Sequence, residues 1–290
     1  MVQPFFLPKV IDRRAALGLV LGGMAMLGAS SAQAESRLER GRYLMSSIVA
    51  CGNCHTPQGP NGPLPGMELA GGLKIEDKPF TVYTPNITMD KETGIGKWTD
   101  AQIIKAIREG KRPDGSTLGP PMPFELYRHM SDNDVKAVVA YLRKAKPVKN
   151  KVAKSEYRIP LPPEWGPPVG KIADVSVKDK VAYGKYLAGP LGHCIECHSS
   201  PGAKGGPDMV NALGAGGFSF FGPWGTSVSS NITPTGLGKY SDADLKKVIT
   251  TGVRPDGGKL KPPMAIPYYA NMKAADLDAL VAYLRTLPPK

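Results

Sequence analysis

The sequence predicts an all-α protein of two tandem domains, each a set of helices joined by long loops. Three observations lead there. One unit recurs at a near-constant spacing. Helical apolar periodicity recurs inside each copy. The stretches between are dominated by glycine and proline. The chain has 290 residues with 34 Gly and 29 Pro, enough for two ordinary domains of loop-rich build. No segment alternates convincingly in the manner of a strand. A charged fraction of 21% and a mean hydropathy of −0.21 exclude a polytopic membrane protein.

The elements follow in chain order. Lys9, Arg13 and Arg14 precede an apolar run over residues 15–27, and Ala32-Gln33-Ala34 has the small-x-small form of a cleavage site. Residues 1–34 therefore read as an export signal; an uncleaved anchor is the alternative. No later apolar run is long enough to span a membrane, so no stable span is expected after cleavage. The repeat then begins. Gly41-Arg42-Tyr43-Leu44 recurs as Gly184-Lys185-Tyr186-Leu187, and Cys51-Gly52-Asn53-Cys54-His55 as Cys194-Ile195-Glu196-Cys197-His198, both at offset 143. Asn86-Ile87-Thr88, Gly94-Ile95-Gly96-Lys97-Trp98, Arg112-Pro113-Asp114-Gly115, Pro120-Pro121-Met122 and the terminal Ala140-Tyr141-Leu142-Arg143 recur at offsets of 142–145. This is a tandem duplication. It sets domains at 35–146 and 180–290, with a connector at 147–179 carrying Pro160, Pro162, Pro163, Pro167 and Pro168. That composition is stiff and extended, and Tyr157, Ile159, Leu161 and Trp165 give it side chains to pack along the domains.

Three helices are expected per copy. The first ends at the cysteine pair, and Gly41 and Gly184 allow it a close crossing with the last helix near Tyr141 and Tyr283. The second starts at Thr99 or Ser241; Thr99 with Gln102 forms a capping box. The third starts at Ser131 in the first copy, with Val135, Val138, Val139 and Leu142 at helical spacing.

Cys-x-x-Cys-His is the attachment sequence of c-type haem. Two thiols one helical turn apart reach the two vinyl groups on one porphyrin edge, and the next residue offers an imidazole to the iron. Two covalent haems follow, held by Cys51 and Cys54 with His55, and by Cys194 and Cys197 with His198. Three alternatives compete. A four-cysteine zinc site needs no histidine after each pair. A thioredoxin-like redox pair needs a βαβ setting. Disulfides suit an exported chain.

The sixth iron position decides the chemistry. Met122 and Met264 are the candidates, each after a Pro-Pro pair in a loop before the last helix. Met130 and Met272 also repeat and are either rivals or packing residues. His129 is an alternative in the first copy alone. His193 reads as a surface or supporting residue. Arg112 and Arg254 suit haem propionates as guanidinium–carboxylate pairs, and Trp98 and Tyr240 suit the same edge as ring and donor. An ordinary solvated arginine and an ordinary core aromatic are the competing readings.

These motifs together resemble class I cytochromes c, and more closely the multi-haem cytochrome c subunits of bacterial periplasmic dehydrogenases. The resemblance covers nearly the whole chain after the export signal, twice. It implies two cytochrome c folds, with His55 and His198 as proximal ligands and Met122 and Met264 as distal ones. It also implies a periplasmic electron carrier, not itself an enzyme, between a donor dehydrogenase and an acceptor cytochrome or oxidase. Two departures stand out: many such subunits carry three haem sites where this chain has two, and no C-terminal hydrophobic anchor is visible. The formal charge of +12 favours partners with acidic docking surfaces. Nucleic acid is not expected, because no basic–aromatic or helix-turn-helix motif accompanies the charge. The rival is a di-haem, peroxidase-like enzyme with one open iron site.

Overall fold

The computed structural model describes residues 35–203, 205–222 and 224–290. The export-signal reading of residues 1–34 lies outside them. Residues Glu35–Lys290 form one compact unit, so the repeats are packed together.

Helix α1 (Arg37–Ser46) opens on a capping box: Ser36 Oγ accepts from the Glu39 N–H at 3.2 Å, and the Ser36 N–H donates to Glu39 Oε2 at 2.8 Å. α1 lies across α5 (Asp132–Leu142), and α6 (Lys180–Tyr186) lies across α11 (Ala274–Leu284). Both crossings are as close as the repeated glycines predict. A Cβ on Gly41 would sit 2.0 Å from the Ala137 carbonyl oxygen, and one on Gly184 would sit 1.9 Å from that of Ala279.

The middle helices, α3 (Asp100–Glu109) and α9 (Asp242–Thr251), start where expected. Thr99 forms the capping box with Gln102, and Ser241 forms a second with Asp244. Each ends at a left-handed glycine, Gly110 (φ 64°) and Gly252 (φ 69°). Ser131 caps α5 as predicted, its Oγ accepting from the Asp134 N–H at 3.1 Å. The arginine that ends each repeated Tyr-Leu-Arg ties the last helix to the start of the middle one. Arg143 Nε donates to Asp100 at 2.8 Å and Arg285 Nε to Asp242 at 3.1 Å.

Shorter helices complete each copy: α2 (Cys51–His55) and α4 (Phe124–Tyr127) in the first, then α7 (Cys194–Cys197), α8 (Pro234–Leu237) and α10 (Ile266–Tyr269) in the second. A π-turn over Leu187–Leu191 continues α6. The all-α expectation needs correction, because the described residues also contain short strands. β1 (Gln58–Gly59) pairs with β2 (Gly62–Pro63), β3 (Lys74–Asp77) with β4 (Phe80–Tyr83), and β6 (Ser219–Gly222) with β7 (Gly225–Val228), all antiparallel. None exceeds four residues. Two periods of alternation are too few to stand out from a loop.

The connector does pack along the first copy. Its strand β5 (Glu156–Tyr157) adds to the outer edge of β4. Trp165 stacks on Phe124 with centroids 4.8 Å apart, and its indole N–H donates to the Leu118 carbonyl at 2.7 Å. Further on, Arg128 donates to the Trp165 and Pro167 carbonyls at 3.0 and 2.7 Å. No strand among the described residues covers β7 in the corresponding way.

One apolar core joins both copies. Leu44, Ile48 and Met130 from the first and Leu187 and Leu191 from the second are all fully buried in one cluster. No helix among the described residues is long and apolar enough to cross a membrane.

Candidate haem sites

Each Cys-x-x-Cys-His segment folds as one helical turn, α2 or α7, which sets the paired thiols on neighbouring positions of one face. The residue before each first cysteine adopts a left-handed conformation: Ala50 at φ 46° and His193 at φ 41°. Neither type favours it. The same strain at both copies marks a backbone course imposed by the surrounding fold.

The histidines are oriented by matched backbone contacts. His55 Nδ1 lies 2.8 Å from the Pro85 carbonyl oxygen, and His198 Nδ1 lies 2.7 Å from that of Ser230. A carbonyl only accepts, so Nδ1 carries the proton and Nε2 keeps its lone pair. Burial lowers both imidazole pKa values, partly opposed by these carbonyl contacts, and the rings stay neutral. The histidines' own carbonyls accept from the N–H groups of Gly71 and Gly216, both at 2.7 Å. Those glycines have φ of 73° and 72°.

The repeated Asn-Ile-Thr builds the segment that presents the carbonyl. Asn86 Oδ1 accepts from the Thr88 N–H and hydroxyl at 2.9 and 2.7 Å, and Asn231 does the same for Thr233 at 2.8 and 2.7 Å. Pro85 and Ser230 are supporting groups that the sequence reading missed. Their only signal is their position just before the Asn-Ile-Thr repeat.

The cysteines are unpaired, which removes the disulfide reading. Burial pushes the Cys51 thiol up to about 12 and the Cys54 and Cys194 thiols up to about 11, and raises that of Cys197 further. A reactive redox cysteine needs the opposite shift. Among the described residues no three His, Cys, Asp or Glu side chains converge as a metal site, which is not the geometry of four-cysteine zinc. Neutral thiols one turn apart, with an adjacent neutral imidazole offering Nε2, are the donor set a covalent haem requires. The residues fit the group.

Met122 and Met264 are half-buried against the core, and the N–H two residues on folds back to each methionine carbonyl at 2.9 Å. Both preceding Pro-Pro peptides are cis. Met130 and Met272 lie inside the apolar core, 0% and 7% exposed, as packing residues would. His129 is exposed beyond the end of α4.

The structure gives Arg112 and Arg254 local work. Each Arg-Pro-Asp-Gly is a tight turn, with Gly115 and Gly257 donating back to the arginine carbonyls at 3.0 and 2.9 Å. The Arg112 guanidinium also donates to Ser116 Oγ and the Thr117 carbonyl, both at 3.2 Å. Trp98 and Tyr240 are half-buried against the core. Their carbonyls accept from Arg143 and Arg285. His193 is partly buried beside the second attachment segment. It packs edge-on against Tyr127 of the other copy at 5.9 Å, and burial pushes its pKa down to about 4.

The sequence model of the cytochrome c family matches twice, over residues 38–146 and 181–288. The chain belongs to the cytochrome c family. It is 34% identical to the fructose dehydrogenase cytochrome subunit of Gluconobacter japonicus, over 87% of this chain and 53% of that protein. It is 32% identical to the cytochrome c subunit of the quinone alcohol dehydrogenase of Gluconobacter oxydans, over 94% of this chain and 59% of that protein. A diheme cytochrome c-type protein of Cereibacter sphaeroides is 28% identical over 82% of each chain. This cytochrome therefore spans somewhat over half the length of the two dehydrogenase subunits. Its relatives support an electron-transfer cytochrome, and two matched domains support two covalent haems.

Proposed function

We propose that this cytochrome carries electrons in the periplasm from a dehydrogenase to a respiratory acceptor, through two haems that are each ligated by histidine and methionine. When bound, a c-type haem supplies a one-electron ferric/ferrous couple. The protein's part is to attach, orient and enclose it. Cys51 and Cys54, and Cys194 and Cys197, would hold the haem covalently. His55 and His198 are fixed in the ligating tautomer by Pro85 and Ser230. Met122 and Met264, on loops of matched geometry, would supply the second ligand. Arg112, Arg254, Trp98 and Tyr240 remain the candidates for propionate contacts. The observation that carries the reading is the identity of the two copies at the histidine and methionine positions. A site kept open for substrate would break that identity at one iron.

The test is the optical spectrum of the holoprotein, ferric and ferrous, with and without carbon monoxide. A thioether–iron charge-transfer band scaled to two haems, with no carbon monoxide binding, is expected. Met122→Ala and Met264→Ala should each remove half of that band and open one iron to carbon monoxide. Binding at one haem of the unmodified protein would overturn the carrier reading in favour of a peroxidase-like enzyme.

A further inference from the structure

The two copies meet through a matched pair of contacts that neither copy makes alone. Tyr43 lies on α1, and its repeat counterpart Tyr186 ends α6. The Tyr43 hydroxyl donates to Asp276 Oδ2 at 2.6 Å and accepts from the Lys273 N–H at 3.0 Å. The Tyr186 hydroxyl donates to Asp134 Oδ2 at 2.8 Å and accepts from the Ser131 N–H at 3.0 Å. Lys273 and Ser131 are the N-caps of α11 and α5. Each tyrosine thus leaves its own copy and latches the start of the last helix in the other. Asp134 and Asp276 are 6% and 7% exposed, so each latch replaces water that the carboxylate has lost. Burial, reinforced by the facing carboxylate, pushes both phenols above their ordinary range. Both hydroxyls therefore keep their protons.

The latches flank the two attachment segments, which contact the opposite copy crosswise. Asn53 Nδ2, in the first segment, donates to the Pro263 carbonyl at 3.3 Å, one residue before Met264. A Cβ on Gly52 would stand 2.2 Å from the Tyr268 hydroxyl oxygen. Tyr127 meets His193, the residue before Cys194. Ile48, three residues before Cys51, lies against Gly192, where a Cβ would come within 2.6 Å of its Cδ1.

We propose that Tyr43 and Tyr186 are positioning residues that hold the two attachment segments against each other, and that this registry sets the rate of electron exchange between the two haems. The proposal rests on the electron-carrier reading. Exchange oxidises one ferrous iron and reduces the other, ferric iron; it needs no proton and no co-reactant. Fixing donor and acceptor in one geometry is where a protein gains rate for such a step.

The test uses the holoprotein with Tyr43→Phe, Tyr186→Phe and both together. These keep the rings and remove only the hydroxyls. Three readouts are taken: the optical spectrum for ligation, the magnetic interaction between the ferric haems by electron paramagnetic resonance, and the rate of internal equilibration after rapid one-electron photoreduction. The optical spectrum is expected to be unchanged. The magnetic interaction should weaken and equilibration should slow several-fold in the double variant, with smaller losses in each single variant. A double variant of lower melting temperature but unchanged interaction and equilibration would overturn the proposal and leave the tyrosines as structural contacts only. If the double variant does not take up both haems, the single variants are read in the same way, and unchanged exchange in both overturns it. Failure of the carrier reading looks different: the unmodified protein would bind carbon monoxide at one iron.

Discussion

Arg108 shows how one residue can depend on another far along the chain. It is 5% exposed, near the end of α3, and its Nε has no partner. Its two terminal nitrogens are satisfied, one by Asp132 Oδ1 at 2.8 Å and the other by the Met130 carbonyl. A buried guanidinium short of one partner tolerates poorly the loss of another. Asp132→Asn should therefore destabilise the protein by about 1–3 kcal/mol, the cost of weakening a buried charged contact, read by denaturant unfolding of the holoprotein. The same pair sets a pH dependence. Hydrogen bonding from Arg108 lowers the folded-state pKa of Asp132 below the ordinary carboxylate value. The unfolded chain then binds more protons in the window between the two values. The stabilisation is present above the ordinary value and is lost as pH falls through the folded one. An acid titration of stability should show a shallower fall in Asp132→Asn than in the unmodified protein.

At the scale of elements, the repeated glycines carry the sharpest prediction. Gly41 and Gly184 meet a backbone carbonyl and the Cβ atoms of Tyr141 and Tyr283, not the flexible end of a side chain. Nothing at either crossing gives way without moving a helix. Gly41→Ala and Gly184→Ala should each cost about 3 kcal/mol, at the upper end for overpacking a tight core. A loss below that of an ordinary exposed-helix substitution would mean the helices slide apart freely. These crossings were legible in the sequence, because glycine weakens a helix, and its recurrence at the same helical position in both copies points to a neighbour too close for a Cβ. The caps at Thr99, Ser241 and Ser131 were legible for a local reason: a polar side chain that bonds the nearby backbone needs no tertiary context. The strands were not, since two to four residues give no period. Nor were α4 and α10, each barely one turn. The left-handed Ala50 and His193 carry no residue signal, and the carbonyls of Pro85 and Ser230 belong to the backbone, which every residue shares. In the sequence, Tyr43 and Tyr186 are matched positions of one repeated motif and nothing more. Only the packing of one copy on the other shows their hydroxyls at work.

At the scale of the molecule, the question is whether duplication produced two proteins on one chain or one protein. The buried cluster answers for the folded state. Leu187 and Leu191, on the π-turn before the second attachment segment, are fully enclosed in the same core as Leu44, Ile48 and Met130. Burial of each such side chain is worth about 1.5–3 kcal/mol, so parting the copies would return several of them to water at once. The two tyrosine latches would open in the same event, and Asp134 and Asp276 would each lose a hydroxyl partner. The connector also takes hold of α5 of the first copy, through Ile172 and Asp132, before the second copy begins. These links predict a cooperative unit. Calorimetry of the holoprotein should give one transition whose van't Hoff and calorimetric enthalpies agree. Leu187→Ala, a cavity in the second copy costing about 2–5 kcal/mol, should lower the melting temperature seen at both haems equally. The charge-transfer band would report this, with Met264→Ala leaving only the first-copy signal to follow. If the first-copy band kept its melting temperature when Leu187 was truncated, the shared core would not couple the copies. Unfolding would then pass through a state with one copy intact, and the registry between the haems would depend on the latches and connector alone.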